Sequence, residues 1–334
     1  MELSVIIVNY RSARLIKDCI DTILTQTKEV SYEIIVVDNN STDDSEQQLK
    51  AHYPMLHWIQ MGYNAGFARA NNAGIRIASG NIVLLLNPDT LVLDGALDKC
   101  VARFRSSNYS ACGVQLLNPD GSPQITGNYF MKGGLNHLLP LPYWGAFLRW
   151  LGYALKTKVP NIREATGEQQ VDWINGAFLM VKQSAIHQVG MLDEDFFLYA
   201  EEAEWCSRLL KAGPMAVYGD LRVVHLQGET ANVTFESEDK GYYGLYNRKG
   251  LQIMLSNHVR VRKHYGVGWF LFMLLNYTFT IPIFFIFSFF HNLVLFRNPF
   301  RYWKNAAGLT KNVWQLWVLV PAIIRNKPHF YKVL

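Results

Sequence analysis

LSVIIVN at residues 3–9 decides the fold. Its centre, VIIV, is β-branched and continuous, without the polar alternation of a strand that faces water on one side. Such a run reads as a strand buried on both faces. The pattern returns as EIIVV at 33–37 and NIVLLL at 81–86. Helical patterns lie between. Ser12 can cap the first helix, whose inward stripe is Leu15, Cys19, Ile20, Ile23 and Leu24. Ser41 or Thr42 can cap the second, with Asp43 and Asp44 in its first turn. A third is predicted from Gly66 to about Ser79. Strands and helices alternating over short connections predict an α/β fold with a mostly parallel, twisted sheet.

Beyond it, residues 105–170 are less regular, and order resumes at VDWINGAFLMV (171–181). A helix is predicted from Glu201 to Lys211, stopped by Gly213-Pro214, and VYGDLRVVH (217–225) returns to a sheet edge. VRVRKHYG (259–266) leads into an apolar run from Val267 to Phe296, long enough to cross a bilayer. Asn276 and Pro282 interrupt the run and basic residues flank both ends, so it reads as a crossing or as a hairpin dipping into one leaflet. VWQLWVLVPAII (313–324) is too short to span and suits an interface.

Half of the 334 residues are apolar and 18% are charged, with a formal net charge of +5. The basic residues of the C-terminal third bracket apolar stretches, which points to an anionic membrane surface and away from nucleic acid. Cys19, Cys100, Cys112 and Cys206 show no paired spacing and read as reduced. MELSVIIVNY lacks the features of a signal peptide, so the first domain is expected on the cytoplasmic side.

In a parallel α/β sheet, ligands bind at the carboxyl ends of the strands. Asn9-Tyr10, Asp38-Asn39-Asn40 and Asn87-Pro88-Asp89 stand there. Any one of them reads equally as a turn; three at successive strand ends read as a site. A carboxylate at Asp38 can accept N3–H of uracil or thymine, or N1–H and N2–H of guanine; its bland alternative is a helix cap. Asn64-Ala65-Gly66 opens a helix whose free N–H groups can receive phosphate, with Arg69 one turn in. Asp89, the lone acid of LLLNPDT, can hold Mg²⁺ or Mn²⁺ against a diphosphate. Asn87 adds no charge, so a further ligand is expected, and His225 is the candidate beside its structural alternative. In FFLYAEEAEWCSRLLKAG (196–213), Glu202 shares a helix face with Cys206 and Leu209. It is expected to point inward, where desolvation suits a general base. Glu204 and Arg208 are set for an ordinary ion pair, and Glu201 falls toward Trp205 and Arg208.

SVIIVNYRS, VVDNNSTDDS, NAGFARANNAGI, LLLNPDT, WINGAFLMV and FFLYAEEAEWCSRL, in this order, resemble family 2 glycosyltransferases of GT-A fold, especially the rhamnosyltransferase-like branch. The resemblance covers residues 4 to about 240. It implies inverting transfer from a nucleoside-diphosphate sugar (dTDP-rhamnose or a UDP-hexose) by direct displacement, with Mg²⁺ or Mn²⁺. Asp38 looks like the base-reading acid, Asp89 like the last acid of the DXD motif, and His225 like the later metal-binding histidine. Glu202 stands where the catalytic Asp of a Glu-Asp pair is found. Two departures are Asn87 for the first DXD acid and Glu202 for Asp. On this reading Asn9, Tyr10, Asp38, Asn64, Gly66, Arg69 and Asn87 bind the donor, while Trp173, Asn175, Gly176 and Glu201 border the acceptor. Trp173 and Gly176 also fit a core tryptophan beside a tight turn. The acceptor suggested by an apolar C-terminus is a glycan, lipid-linked through a polyprenyl group.

The expected organisation is a catalytic domain at 1–240, with a nucleotide half (1–100) and an acceptor half (101–240), followed by a helical membrane-associated region at 241–334. A nicotinamide oxidoreductase is disfavoured because the first turn, NYRSAR, has no Gly-rich phosphate loop. A non-catalytic sugar-nucleotide-binding, membrane-associated protein is the remaining alternative. Oligomeric state is not legible.

Overall fold

The computed structural model describes residues 1–157, 160–226, 235 and 244–333. The chain divides into two units. The first comprises Met1–Tyr129, Asn161–Phe197 and Glu201–Val233. The second comprises Phe130–Pro160, Leu198–Ala200 and Thr234–Leu334. It therefore takes in segments that lie N-terminal to the expected boundary at 240.

In the first unit the predicted runs are strands β1 (Leu3–Asn9), β2 (Tyr32–Asp38) and β4 (Ile82–Leu86). With β3 (His57–Gln60) they form a parallel block in the order β3-β2-β1-β4. Helices α1 (Ala13–Gln26), α2 (Ser45–His52) and α3 (Gly66–Ile77) are the crossovers. Val5, Ile6, Ile7 and Leu84 are wholly buried, as the unalternating apolar pattern requires. Gly74 lets α3 lie close on β1, because a Cβ there would stand 2.6 Å from Ile6 Cγ2.

The sheet continues with mixed directions. After β5 (Thr90–Val92) and α4 (Ala96–Ser106) come β6 (Ala111–Leu117) and the short β7 (Gly127–Asn128). In the second unit, α5 (Trp144–Ala154) forms within the stretch read as irregular. The first unit resumes with β8 (Glu168–Val171), β9 (Trp173–Ile174), β10 (Phe178–Lys182), α6 (Gln183–Val189), α7 (Glu201–Leu209) and β11 (Met215–His225). β10 inserts antiparallel between β4 and β6, while β11 runs parallel to β6 and antiparallel to β5 and β8. The α/β class with its mostly parallel central sheet stands as expected. All four cysteines are buried, and none is in a disulfide.

Two local expectations are corrected. α2 is not capped by Ser41 or Thr42; it starts at Ser45 with Asp44 as N-cap, because the Ser41 hydroxyl is bonded to Asp38 instead. The apolar run is neither interrupted nor folded into a hairpin. After α8 (Arg248–Tyr265), α9 (Val267–Val294) is a single helix of 28 residues that passes through Pro282. Asn276 does not break it, since its amide donates back to the Phe272 carbonyl and accepts from the Trp144 indole. α10 (Trp303–Arg325) contains the expected 313–324 patch. The buried stripe of α9 is Phe270, Met273, Leu274, Tyr277, Thr280, Phe284, Ser288 and Asn292, spaced by three and four.

Candidate active site

Asn9 and Asp38 are register partners at the ends of β1 and β2, and both are buried. Asn9 Nδ2 donates to Asp38 Oδ1 at 2.7 Å, and Ser41 donates to the same carboxylate through its amide (3.0 Å) and its hydroxyl. Asp38 thus spends three of its roughly four acceptor positions inside the protein. Tyr10 follows Asn9 and meets the Arg11 guanidinium, 5.6 Å from its ring centroid.

The start of α3 departs from expectation. The N–H of Ala65 is taken by Asn39 Oδ1 (2.7 Å), that of Gly66 by Asn64 Oδ1 (3.2 Å), and that of Phe67 by the Phe197 carbonyl (2.8 Å). These groups are already satisfied, so the phosphate cradle read from the sequence is filled by internal acceptors. Arg69 is partly exposed and directs Nε to the Glu194 carbonyl at 3.0 Å.

At the end of β4 the structure gathers Asn87, Asp89 and His225. His225 pairs with Thr90 across β11 and β5. Its Nε2 lies 3.4 Å from Asp89 Oδ1 and 3.3 Å from Asn87 Nδ2. Gln124, which the sequence reading missed, orients the ring. Its amide nitrogen faces the carbonyls of His225 (2.7 Å) and Leu117 (3.4 Å) and the Asn118 side chain (2.8 Å). Gln124 Oε1 is thereby turned to His225 Nδ1 at 2.9 Å, so Nδ1 carries the proton and donates it. Nε2, which faces the Asn87 amide nitrogen at 3.3 Å, then also confronts the Asp89 carboxylate. A bound cation would relieve that confrontation, and a histidine tied back through its other nitrogen is the arrangement metal ligands use. Among the described residues no group of three or more His, Cys, Asp or Glu converges on one point, so phosphate oxygens would complete such a site.

The acidic helix corrects a second expectation. Glu201 and Glu204, not Glu202, are the buried carboxyls, at 3% and 8% exposure, and Glu201 Oε2 has no hydrogen-bond partner among the described residues. Burial, reinforced by the charge of Glu202, pushes the Glu201 pKa well above the usual carboxylate range. Glu202 is half-buried, and its Oε1 accepts the indole N–H of Trp173 at 3.3 Å. α7 opens right after Tyr199 and Ala200, both in left-handed backbone, and helical spacing from Cys206 does not capture that turn. The Glu204–Arg208 pair forms as read, at 2.6 Å.

The two clusters are joined through one tight segment. Asn87 N donates to the Ala177 carbonyl at 3.0 Å, and the neighbouring Gly176 would bring an added Cβ to 3.5 Å from Glu202 Cγ. Asn175 holds that turn, accepting from Ala177 N at 2.9 Å.

Residues 4–163 match the family described as Glycosyl transferase family 2. The chain is 32% identical over 216 residues to the low-salt glycan biosynthesis hexosyltransferase Agl10 of Haloferax volcanii, covering 62% of this chain and 61% of that protein. It is 29% identical over 210 residues to the N-acetylglucosaminyl-diphospho-decaprenol L-rhamnosyltransferase of Mycobacterium tuberculosis, covering 58% and 66%. The matches thus span a little under two thirds of these relatives. The mannosyltransferase PcManGT of Pyrobaculum calidifontis, solved with GDP-Man and Mn²⁺, shares the fold with a TM-score of 0.55 at 14% identity, over 95% of this chain and 87% of that one.

Proposed function

We propose that the chain, whose residues 4–163 match glycosyl transferase family 2, transfers a sugar from a nucleoside diphosphate to a hydroxyl of a glycan acceptor. The observation that supports this most is the segment 173–177. It touches Asn87 at one end and Glu202 at the other, joining a diphosphate-binding cluster to a carboxylate base.

The remaining acceptor position of Asp38 receives an N–H of the donor base, beside Asn9 and Tyr10. Arg69 and Asn87 border the rest of the donor, the Arg69 guanidinium meeting its phosphates. Asp89 and His225 would hold Mg²⁺ or Mn²⁺ together with phosphate oxygens, and the ion when bound supplies neutralisation of the leaving diphosphate. Trp173, Asn175, Gly176 and Glu201 border the acceptor. Glu202 takes the proton of the acceptor hydroxyl as that oxygen bonds to the anomeric carbon. The bond from this carbon to the diphosphate oxygen breaks, the nucleoside diphosphate departs with the electron pair, and the configuration inverts. The Trp173 N–H holds Glu202 in its anionic, proton-accepting orientation.

The relatives named a rhamnosyltransferase and a hexosyltransferase support dTDP-rhamnose or a UDP-hexose as donor. The decaprenyl diphosphate in one relative's name supports a lipid-linked acceptor in cell-surface polysaccharide synthesis. In this reading residues 1–240, less the segment that joins the second unit, are catalytic. The helices after 241 hold the enzyme on the cytoplasmic face of a membrane. The test is hydrolysis and transfer from dTDP- and UDP-sugars by the full-length chain in detergent, with Mg²⁺ or Mn²⁺. Turnover of one donor class is expected. Donor binding without turnover of any donor overturns the proposal in favour of a non-catalytic binding protein.

A further inference from the structure

The second unit holds 15 Lys and Arg and no Asp or Glu among its described residues. The first unit holds 15 Lys and Arg against 23 Asp and Glu on the same basis. The exposed surface of the basic unit is also aromatic. Phe279 of α9 meets Trp144 at 5.3 Å between ring centroids, Trp144 stacks on Phe147 at 5.3 Å, and Phe147 on Trp150 at 5.8 Å. This row carries the apolar face of α9 onto α5, where Trp150 is 62% exposed and Arg149 lies beside it. α10 adds Trp314, 70% exposed, among Lys304, Lys311 and Arg325. Near the end of α9, a recess of about 470 Å³ opens between Tyr143 and Phe287, Phe290, His291, Val294 and Leu295.

We propose that this unit is monotopic, with α5, α9 and α10 embedded side-on in one leaflet of an anionic bilayer, and that α9 does not cross it. The proposal deepens the membrane attachment suggested above and is independent of the transfer chemistry. α9 is long and apolar enough to cross, at about 42 Å for 28 residues. Its neighbours forbid it. Any 20-residue span within α9 includes residues 275–286. α8 lies along that stretch: His258 meets Tyr277 at 4.8 Å, and Tyr246, just before α8, meets Phe284 at 5.7 Å. A slab around α9 would therefore enclose Arg248, which is exposed, and the interior Lys249 and Arg260. It would also enclose the exposed Lys311, which lies between Trp303 and Trp317, the α10 residues that touch Phe285 and Thr278. An exposed cation such as Arg248 or Lys311 is costly at the centre of a span. Lying in the interface removes that cost: the aromatic row enters the acyl region, the exposed cations meet lipid phosphates, and flexible chains fill the recess.

The test uses the full-length chain and sealed vesicles of phosphatidylcholine with or without phosphatidylglycerol. Binding at least about tenfold stronger to the anionic vesicles, weakening with salt, is expected. Trp150→Glu should lower it by about tenfold while donor binding is unchanged, which also reports that the variant is folded. Asn298→Cys, just beyond α9, should react with a membrane-impermeant maleimide added outside. The native cysteines are buried and stay silent. Protection of Asn298→Cys until detergent is added would mean that α9 crosses, and overturns the proposal. So would a Trp150→Glu variant that loses self-association but keeps vesicle binding, since a second copy would then be what covers this face. Failure of sugar transfer leaves these readouts untouched.

Discussion

His225 Nε2 and Asp89 Oδ1 lie 3.4 Å apart, both side chains buried, with the histidine proton held on the far nitrogen by Gln124. On the proposed reading a cation sits between ring and carboxylate, and Gln124 positions the ring.

Gln124→Leu should weaken activation by Mn²⁺ about 10- to 100-fold, as loss of a ligand's outer hydrogen bond does. Asp89→Ala should lose donor binding and turnover together, and excess EDTA should abolish transfer. Titrations of activity with metal check all three. An unchanged activation constant in Gln124→Leu would return His225 to a structural role.

Glu202→Gln should lower the turnover number by about 10²–10⁴-fold while donor affinity, read by calorimetry, survives. Trp173→Phe, which removes only the indole donor, should reduce turnover by about tenfold with donor KM unchanged. If Glu204→Gln is the variant that loses activity, the base has been misassigned.

Glu201 favours the protonated form in the folded chain because it is buried beside Glu202. A folded pKa above the unfolded one contributes stability that is complete below the unfolded value and is lost as pH rises through the folded one. Glu201→Gln keeps the shape without the titration. Its Tm should exceed that of the parent at pH 8, and the gain should shrink at pH 5. Thermal melts at the two pH values decide it.

Gly66 has φ of +75°, and a Cβ there would fall 2.1 Å from the Phe197 carbonyl oxygen. Gly66→Ala should therefore destabilise the chain by about 1–3 kcal/mol, measured by urea unfolding. A Gly66→Ala chain of parental stability would mean that this turn moves freely.

Removing residues 244–334 should give an aggregating product rather than a soluble catalytic domain. Leu138 and Leu141 are buried in the second unit, and Tyr277 donates to the His137 carbonyl at 3.0 Å. Cutting away α8–α10 strips their cover. Light scattering of the truncated chain is the measurement.

What could be read from the sequence follows from short-range pattern. Unalternating β-branched runs gave β1, β2 and β4, because burial on both faces excludes polar residues at either parity. Polar residues ending those runs marked Asn9, Asp38, Asn87 and Asp89, because a parallel sheet opens its ligand crevice there. His225 could be proposed since an apolar run led to it.

The tertiary structure decided what depends on partners far apart in the chain. Helical spacing pointed Glu202 inward, but the fold buries Glu201 and Glu204 and leaves Glu202 half-buried. Gln124 carried no signal, since only β11 ending beside the 118–124 turn gives its amide a purpose. The N–H groups opening α3 read as free because their acceptors, Asn39 and Phe197, come from other elements. A window of hydropathy sees α9 as a bilayer span. Its packing beside the cationic α8, on which the proposed depth rests, is visible only in the tertiary structure.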